Sequence, residues 1–352
     1  MKAKIIDWTD IKVAVDSLKN GELVCFPTET VFGIAANSNS EEAFEKLQIA
    51  KKRPADKPFT LMCSSIGQAV QYAEIDVGTV GVMQQFMPGA ITMLLKPRKG
   101  LPHRLTLDSP LIGVRVPADD NVLALIEAVG SPLLVPSANI SGEDPALDEE
   151  QAMSYFEDSC SYVIRGKCKG EKPSTIVAVE DGQIVLVREG PVPFEIIKTV
   201  YDSSLISVAL GSDHGGLDYK NKIAAHLLER GFLVNDFGTA SPESCDYPIF
   251  GQAAANAVSR GMANLGVLIC TSGEGISIAA NKVNGIRCAI GYDDVVTQKS
   301  REHNNANMIA FGQKYMAEED VLRRVDIFVS EKFSILEKHR RRVKQIDSIG
   351  QN

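Results

Sequence analysis

Residues 265–282 read LGVLICTSGEGISIAANK: an apolar run of strand length ends on Cys270, breaks into hydroxyls and glycines, and resumes in a helical pattern. That order of residue types could do proton chemistry. The first N–H groups of a helix have no internal partners. Glycines such as Gly273 and Gly275 let successive N–H groups converge on an anion, and such donors lower a thiol from its ordinary value of about 8.5. A thiolate beside an anion cradle suits proton abstraction next to a carbonyl, with the N–H groups holding the enediolate. The same residues also describe a small buried thiol in a glycine-rich turn, and the spacing is neither Gly-x-Gly-x-x-Gly nor that of a P-loop.

Other polar groups flank further expected strands, in three motifs of which the first ends the first strand, the second follows the second strand and the third precedes the fifth. GSDHGG (211–216) carries Asp213 and His214, CDYP (245–248) carries Tyr247, and REHNNAN (301–307) carries His303 and Asn304. In the first half, CFPTETVFGIAAN (25–37) places Thr30 after a strand, and AKKRPADKP (50–58) sets Lys51, Arg53 and Lys57 among prolines. VPSANISG (135–142) ends an apolar strand on Ser137 and Asn139, while PSTIV (173–177) and VREGP (187–191) supply Ser174 and Arg188. Each motif alone reads as turn chemistry. A single groove ringed by Arg53, Lys57, Arg115, Ser137, Asn139 and Arg188 would suit a nucleotide.

The elements that must position these residues differ between the halves. From residue 206 onward, strands at 206–212, 232–238, 265–271, 287–292 and 307–312 alternate with helices, one of them after Gly275, and a basic terminal helix holds EKHRRRVKQI. That rhythm predicts a Rossmann-like, doubly wound parallel sheet, whose ligands sit at the strands' carboxyl ends. The first half predicts a mixed α/β domain with a twisted sheet: a helix near 9–19, a helix over 41–52 started by Ser40, strands ELVCFP, FTLMCS, AITMLLKP, LIGVRVP and LLVPSA, and a hairpin turning at Asp181-Gly182. A seam in TVYDSSLIS (199–207) divides the chain into domains 1–203 and 204–352.

The 352 residues, 44% hydrophobic and 23% charged, fit two globular domains. Residues 1–204 hold 20 Lys+Arg against 28 Asp+Glu, and residues 205–352 hold 17 against 17, so neither half is a bulk nucleic-acid binder. Seven cysteines without a Cys-x-x-Cys pair, and five scattered histidines, argue against a disulfide framework or a metal site. No apolar run reaches the roughly 20 residues of a membrane span, and MKAKIIDWTDIK lacks an apolar leader. A cytoplasmic protein with no membrane contact is the expectation.

Two resemblances join these motifs. SDHGG, DYP, GVLIC with GISIAANK and GIRCA, and the HN-AN-IAFG pattern run in the order of the type B ribose-5-phosphate isomerase family, from 206 to the end. That resemblance implies a cofactor-free aldose–ketose isomerase acting on a pentose 5-phosphate. Cys270 would be the base between carbons 1 and 2. The N–H groups of Thr271 to Gly275, with Asn304, would hold the enediolate, and Ser272 would relay protons. His303 would open the sugar ring, Asp213 would bind a hydroxyl, and Tyr247 would line the site. His214, Lys338 and Arg342 would hold the phosphate, and a homodimer through this domain would share each site. Lys338 stands where the family usually has arginine, and Glu274 puts a carboxylate into the anion loop.

Residues 8–200 resemble the threonylcarbamoyl-AMP synthase family of YrdC-like fold, through FPTETVFG, AKKRP-DKP, PG-IT-LL, GVRVP, PSAN-SG and STIV. The resemblance implies joining of L-threonine, bicarbonate and ATP, with Mg²⁺ on the triphosphate, for threonylcarbamoyladenosine modification of tRNA. tRNA would be met directly or through downstream transfer proteins. Lys51, Arg53, Lys57, Ser137, Asn139 and Arg188 would bind ATP, and Thr30, Arg115 and Ser174 would hold threonine. Met62 stands where some relatives have histidine. Two rival readings are an N-terminal module that only binds RNA or nucleotide, and an isomerase for galactose or allose 6-phosphate.

Overall fold

Among the described residues ten short strands pair into one mixed sheet: β1 (Lys4–Ile6), β2 (Val24–Phe26), β3 (Gly33–Asn37), β4 (Leu61–Met62), β5 (Ile91–Leu95), β6 (Ile112–Arg115), β7 (Leu133–Leu134), β8 (Tyr162–Ile164), β9 (Thr175–Glu180) and β10 (Gln183–Arg188). Their order is β1-β8-β2-β3-β7-β4-β6-β5-β9-β10. The structure is a computed structural model that describes residues 2–52 and 57–349. Parallel pairs such as β4–β6 and β5–β9 occur in the same sheet as antiparallel ones such as β2–β3 and β5–β6. The hairpin turns where the sequence placed it, because Asp181 and Gly182 both take positive φ, 49° and 73°. Helix Ile11–Lys19 lays Ala14, Val15 and Leu18, and helix Asp120–Val129 lays Val122, Leu125, Ile126 and Val129, on Val24, Phe26 and Leu133. Those spacings are one helical face.

Five further strands form a separate sheet in which every pair is parallel: β11 (Ser207–Ser212), β12 (Leu233–Asp236), β13 (Leu265–Cys270), β14 (Cys288–Ile290) and β15 (Met308–Gly312). The order β12-β11-β13-β15-β14 reverses direction between β11 and β13. Ligands of doubly wound sheets bind at that switch point, and it is where Asp213 and Cys270 emerge. All six residues of β13 are buried, with β11 on one side and β15 on the other.

By internal contacts one compact unit comprises Met1–Glu74 and Gln85–Asp202, and the other comprises Ile75–Gln84 and Ser203–Asn352. The segment Ile75–Gln84, inside the first expected domain, thus groups with the second unit. There the Val77 N–H donates to the Arg230 carbonyl at 2.8 Å, and Gln84 Nε2 donates to the Ser330 carbonyl at 3.1 Å.

Several boundaries differ from expectation. The helix expected after Gly275 starts at Glu274. The one expected to reach residue 52 ends at Lys51, because Lys52 turns to a φ of 48°, although Ser40 caps its start as foreseen by accepting from the Ala43 N–H. Strand β3 was not foreseen: Gly-Ile-Ala-Ala-Asn is small and buried almost throughout, so it lacks the alternation that marks a half-exposed strand.

Candidate active sites

In the second unit, Cys270 is 4% exposed, and its Sγ accepts the Gly273 N–H at 3.1 Å. This contact exists because Gly273 takes a φ of 84°, a left-handed conformation that folds the loop back on the sulfur. The Glu274 N–H goes to Ser272 Oγ at 3.3 Å. Two of the five N–H groups that the resemblance assigned to an enediolate are therefore engaged inside the loop, one of them on the base itself. Glu274 is exposed.

Beyond the ends of β11 and β13 the chain packs closely at two glycines. A Cβ on Gly215 would lie 2.2 Å from Thr271 Oγ1 and 3.4 Å from Asp213 Oδ1, so these three positions converge. A Cβ on Gly275 would lie 2.6 Å from Tyr247 Cζ, which places the tyrosine ring against the start of the helix. Asp213 is 5% exposed, and its Oδ1 is buried without a hydrogen-bond partner. Such an oxygen is costly unless something donates to it, and a sugar hydroxyl would. His214 Nδ1 accepts the Cys245 N–H at 3.1 Å, which leaves Nε2 as the nitrogen that carries a proton in the neutral ring.

His303, Asn304, Lys338 and Arg342 gather elsewhere, on helices Asp294–Asn304 and Glu337–Asp347. His303 stacks on His339 with centroids 4.1 Å apart. Burial lowers the His303 pKa from its ordinary value, against the pull of Glu302. Among the described residues no hydrogen bond joins this group to the Cys270 loop.

In the first unit, Arg115, Ser137, Ser174 and Arg188 line one cavity of about 200 Å³ together with Thr60, Thr92 and Val31. The resemblance divided these four between an ATP set and a threonine set, while the residues alone suggested one groove holding Arg115, Ser137 and Arg188; the structure puts all four around one space. Arg115 leaves the end of β6, and its Nη2 donates to Glu29 Oε1 at 2.8 Å and to Thr30 Oγ1 at 2.9 Å. Arg188 ends β10, whose pairing with β9 brings its Nη2 to the Ser174 carbonyl at 2.8 Å. Burial and the neighbouring Arg115 push the Arg188 guanidinium below its usual range. Two cations thus converge on one cavity, the electrostatics of an anion site.

Lys51 is 2% exposed and its ammonium donates to the Ser137 carbonyl at 2.6 Å, to Asn139 Oδ1 at 3.0 Å and to the Asn139 carbonyl. Ser137 Oγ completes the knot by donating to Asn139 Oδ1 at 2.6 Å. Lys51 therefore shapes the Ser-Ala-Asn loop from beneath. Lys57 is exposed and is not among the lining residues of the cavity. Arg53 lies outside the described residues.

Comparison with known proteins relates the two parts of the chain to two families. Residues 16–190 match the Sua5/YciO/YrdC family, described as telomere recombination, and residues 208–346 match the ribose/galactose isomerase family. A Methanocaldococcus jannaschii protein provisionally named threonylcarbamoyl-AMP synthase is 34% identical, over 50% of this chain and 83% of its own length. Ribose-5-phosphate isomerase B of Escherichia coli is 42% identical, over 41% of this chain and 96% of its own length. The chain belongs to both families. The crystal structure of Escherichia coli YciO aligns at a TM-score of 0.52 and 28% identity, covering 55% of this chain and 98% of that one. The chain is therefore a fusion of a Sua5/YciO/YrdC-family domain with a ribose/galactose isomerase-family domain.

Some site residues of both family domains went unseen in the sequence. In the Sua5/YciO/YrdC-family domain, Glu29 grips Arg115, and Thr92 Oγ1 lies 2.8 Å from Ser174 Oγ. The carboxylate inside Pro-Thr-Glu-Thr was the available signal for Glu29. In the isomerase-family domain, His339 was read only as part of a basic helix, and nothing in HRRRVK marks a residue that is 5% exposed.

Proposed function

We propose that the protein is bifunctional: its first domain makes L-threonylcarbamoyladenylate from L-threonine, bicarbonate and ATP for tRNA threonylcarbamoyladenosine formation, and its second interconverts ribose 5-phosphate and ribulose 5-phosphate. The first reading is carried by the meeting of Arg115 and Arg188 with Ser137 and Ser174 around one cavity. At about 200 Å³ that space is below the roughly 300–1,000 Å³ of drug-sized ligand pockets. It suits the amino acid, with the nucleotide extending over the Ser-Ala-Asn loop. The threonine amine adds to carbon dioxide or bicarbonate, the carbamate oxygen attacks the α-phosphate, and pyrophosphate leaves. The protein's part is positioning and charge neutralisation. Mg²⁺ would arrive on the triphosphate; no group of three or more potential side-chain ligands stands together among the described residues, so we assign it none.

The isomerase reading is carried by Cys270 at the switch point of the sheet, with the unpartnered Asp213 Oδ1 in the neighbouring strand-end loop. Cys270 takes the proton from the carbon next to the carbonyl and returns it to the adjacent carbon. That no hydrogen bond joins the His303 group to the Cys270 loop among the described residues fits a site completed by a second copy of the chain, with Lys338 and Arg342 reaching the phosphate.

One purified sample tests both readings. Pyrophosphate release should require threonine and bicarbonate together, and should fall with Arg188→Ala. Isomerisation of ribose 5-phosphate, compared with galactose and allose 6-phosphates, should vanish with Cys270→Ala alone. Pyrophosphate release independent of threonine would leave the first domain a nucleotide-binding module. Faster turnover of a hexose phosphate would replace the pentose.

A further inference from the structure

We propose that His339 is a positioning residue of the isomerase: its buried ring is the platform on which His303 lies flat, aimed for opening the sugar ring. This rests on the isomerase reading above and adds a residue to which that reading gives no part. The two imidazoles are parallel within 10°, with centroids 4.1 Å apart. Their burial differs: His339 is buried, whereas His303 is only half-buried. One ring is fixed by packing and the other is open to a substrate.

The stack also constrains charge. Neutral aromatic rings attract in such an arrangement, whereas two imidazolium ions at this separation repel. The charged groups facing His303 are Glu302 and Lys299 from its own helix, and Lys338 and His339 from helix Glu337–Asp347; Arg342 acts on His339. Only Glu302, 3.7 Å from His303 Nε2, favours a second proton. Burial comes first among the causes that lower both histidines, and the cations add to it.

Ring opening needs that neutral state. The anomeric hydroxyl gives its proton to a neutral His303 nitrogen. The bond between C1 and the ring oxygen breaks with its electron pair going to that oxygen, and the proton is returned there, leaving a C1 aldehyde and a restored imidazole. An imidazolium could not take the first proton, and a ring free to swing would not stay in reach of both oxygens.

The experiment compares wild type, His339→Ala and His339→Phe, the last keeping a flat ring that fills the space. Two readouts are used: kcat and kcat/KM for ribose 5-phosphate against pH, and exchange of solvent deuterium into C1 of ribulose 5-phosphate, an open-chain sugar that engages Cys270 without ring opening. With His339→Ala, turnover of ribose 5-phosphate is expected to fall about 100-fold, the low end for a displaced acid–base group. Its acid limb should move to higher pH, while deuterium exchange stays within about twofold of wild type. His339→Phe should recover most of the turnover. Equal losses in both readouts, an unmoved acid limb, or a phenylalanine variant no better than alanine would overturn the proposal. Undiminished ribose 5-phosphate turnover in His303→Ala would instead remove His303 from the isomerase reading itself.

Discussion

Arg115 and Glu29 form an ion pair 2.8 Å long with side chains only 8% and 12% exposed, and the same Arg115 nitrogen reaches Thr30. A guanidinium held this way cannot turn, so its direction toward the cavity is set before any ligand arrives. Breaking a buried pair by removing one partner costs about 3–5 kcal/mol. Glu29→Ala should lose about that much in urea unfolding. Glu29→Gln, which keeps one acceptor for Arg115, should lose less and should raise KM for threonine about tenfold with little change for ATP. Equal rises in both KM values would show that Glu29 supports the whole cavity and not Arg115 in particular.

Lys51 offers a second check, because the resemblance and the structure give it different work. Its ammonium is spent on the backbone and side chain of the Ser-Ala-Asn loop. Lys51→Met preserves the stem but removes the donor of the Asn139 carbonyl, while the Ser137 carbonyl keeps the Asn139 N–H and Asn139 Oδ1 keeps Ser137 Oγ; leaving a buried acceptor unsatisfied costs about 1–3 kcal/mol. Destabilisation of about 1–3 kcal/mol should accompany weaker ATP use. Weaker ATP use at unchanged stability would instead mean direct contact with the nucleotide.

How much of this was legible in the sequence depended on scale. Cys270, Asp213 and Tyr247 could be nominated because strand–helix alternation fixes which strand ends face a ligand, and the order of strands changes direction between β11 and β13, where Asp213 and Cys270 emerge. Ser137 and Arg188 were singled out through motif order and expected in one groove with Arg115, but that Ser174 lines the same cavity was not foreseen. That meeting depends on strand order and on the bulge between Leu186 and Arg188, and neither leaves a period in the sequence. Glu29 and His339 were missed for a related reason. Charge and exposure are correlated on average, so a buried member of a polar motif reads as surface until its neighbours are known.

Gly275 is expected to be replaceable in the fold but not in the site. It lies in a helix, where alanine is favoured by about 1 kcal/mol over glycine. The added Cβ would meet the Tyr247 ring at 2.6 Å, yet Tyr247 is 39% exposed and can swing away. Gly275→Ala should therefore keep its melting temperature within a few degrees while kcat/KM for the sugar phosphate falls about tenfold. A large loss of stability would mean that the tyrosine cannot move.

The stacked histidines make a prediction about stability as well as rate. Both carry pKa values lowered from the ordinary 6.5, so between that value and the folded-state values the unfolded chain binds more protons than the folded one. Stability then rises with pH across that window. The contribution is fully present above about pH 6.5 and is lost as pH falls through the folded-state values. Urea midpoints measured between about pH 5 and 8 should show this slope in the wild type and a shallower one in His339→Phe, which removes one titrating ring and leaves the other in place. A slope unchanged by that substitution would mean that His339 titrates as freely in the folded chain as in the unfolded one.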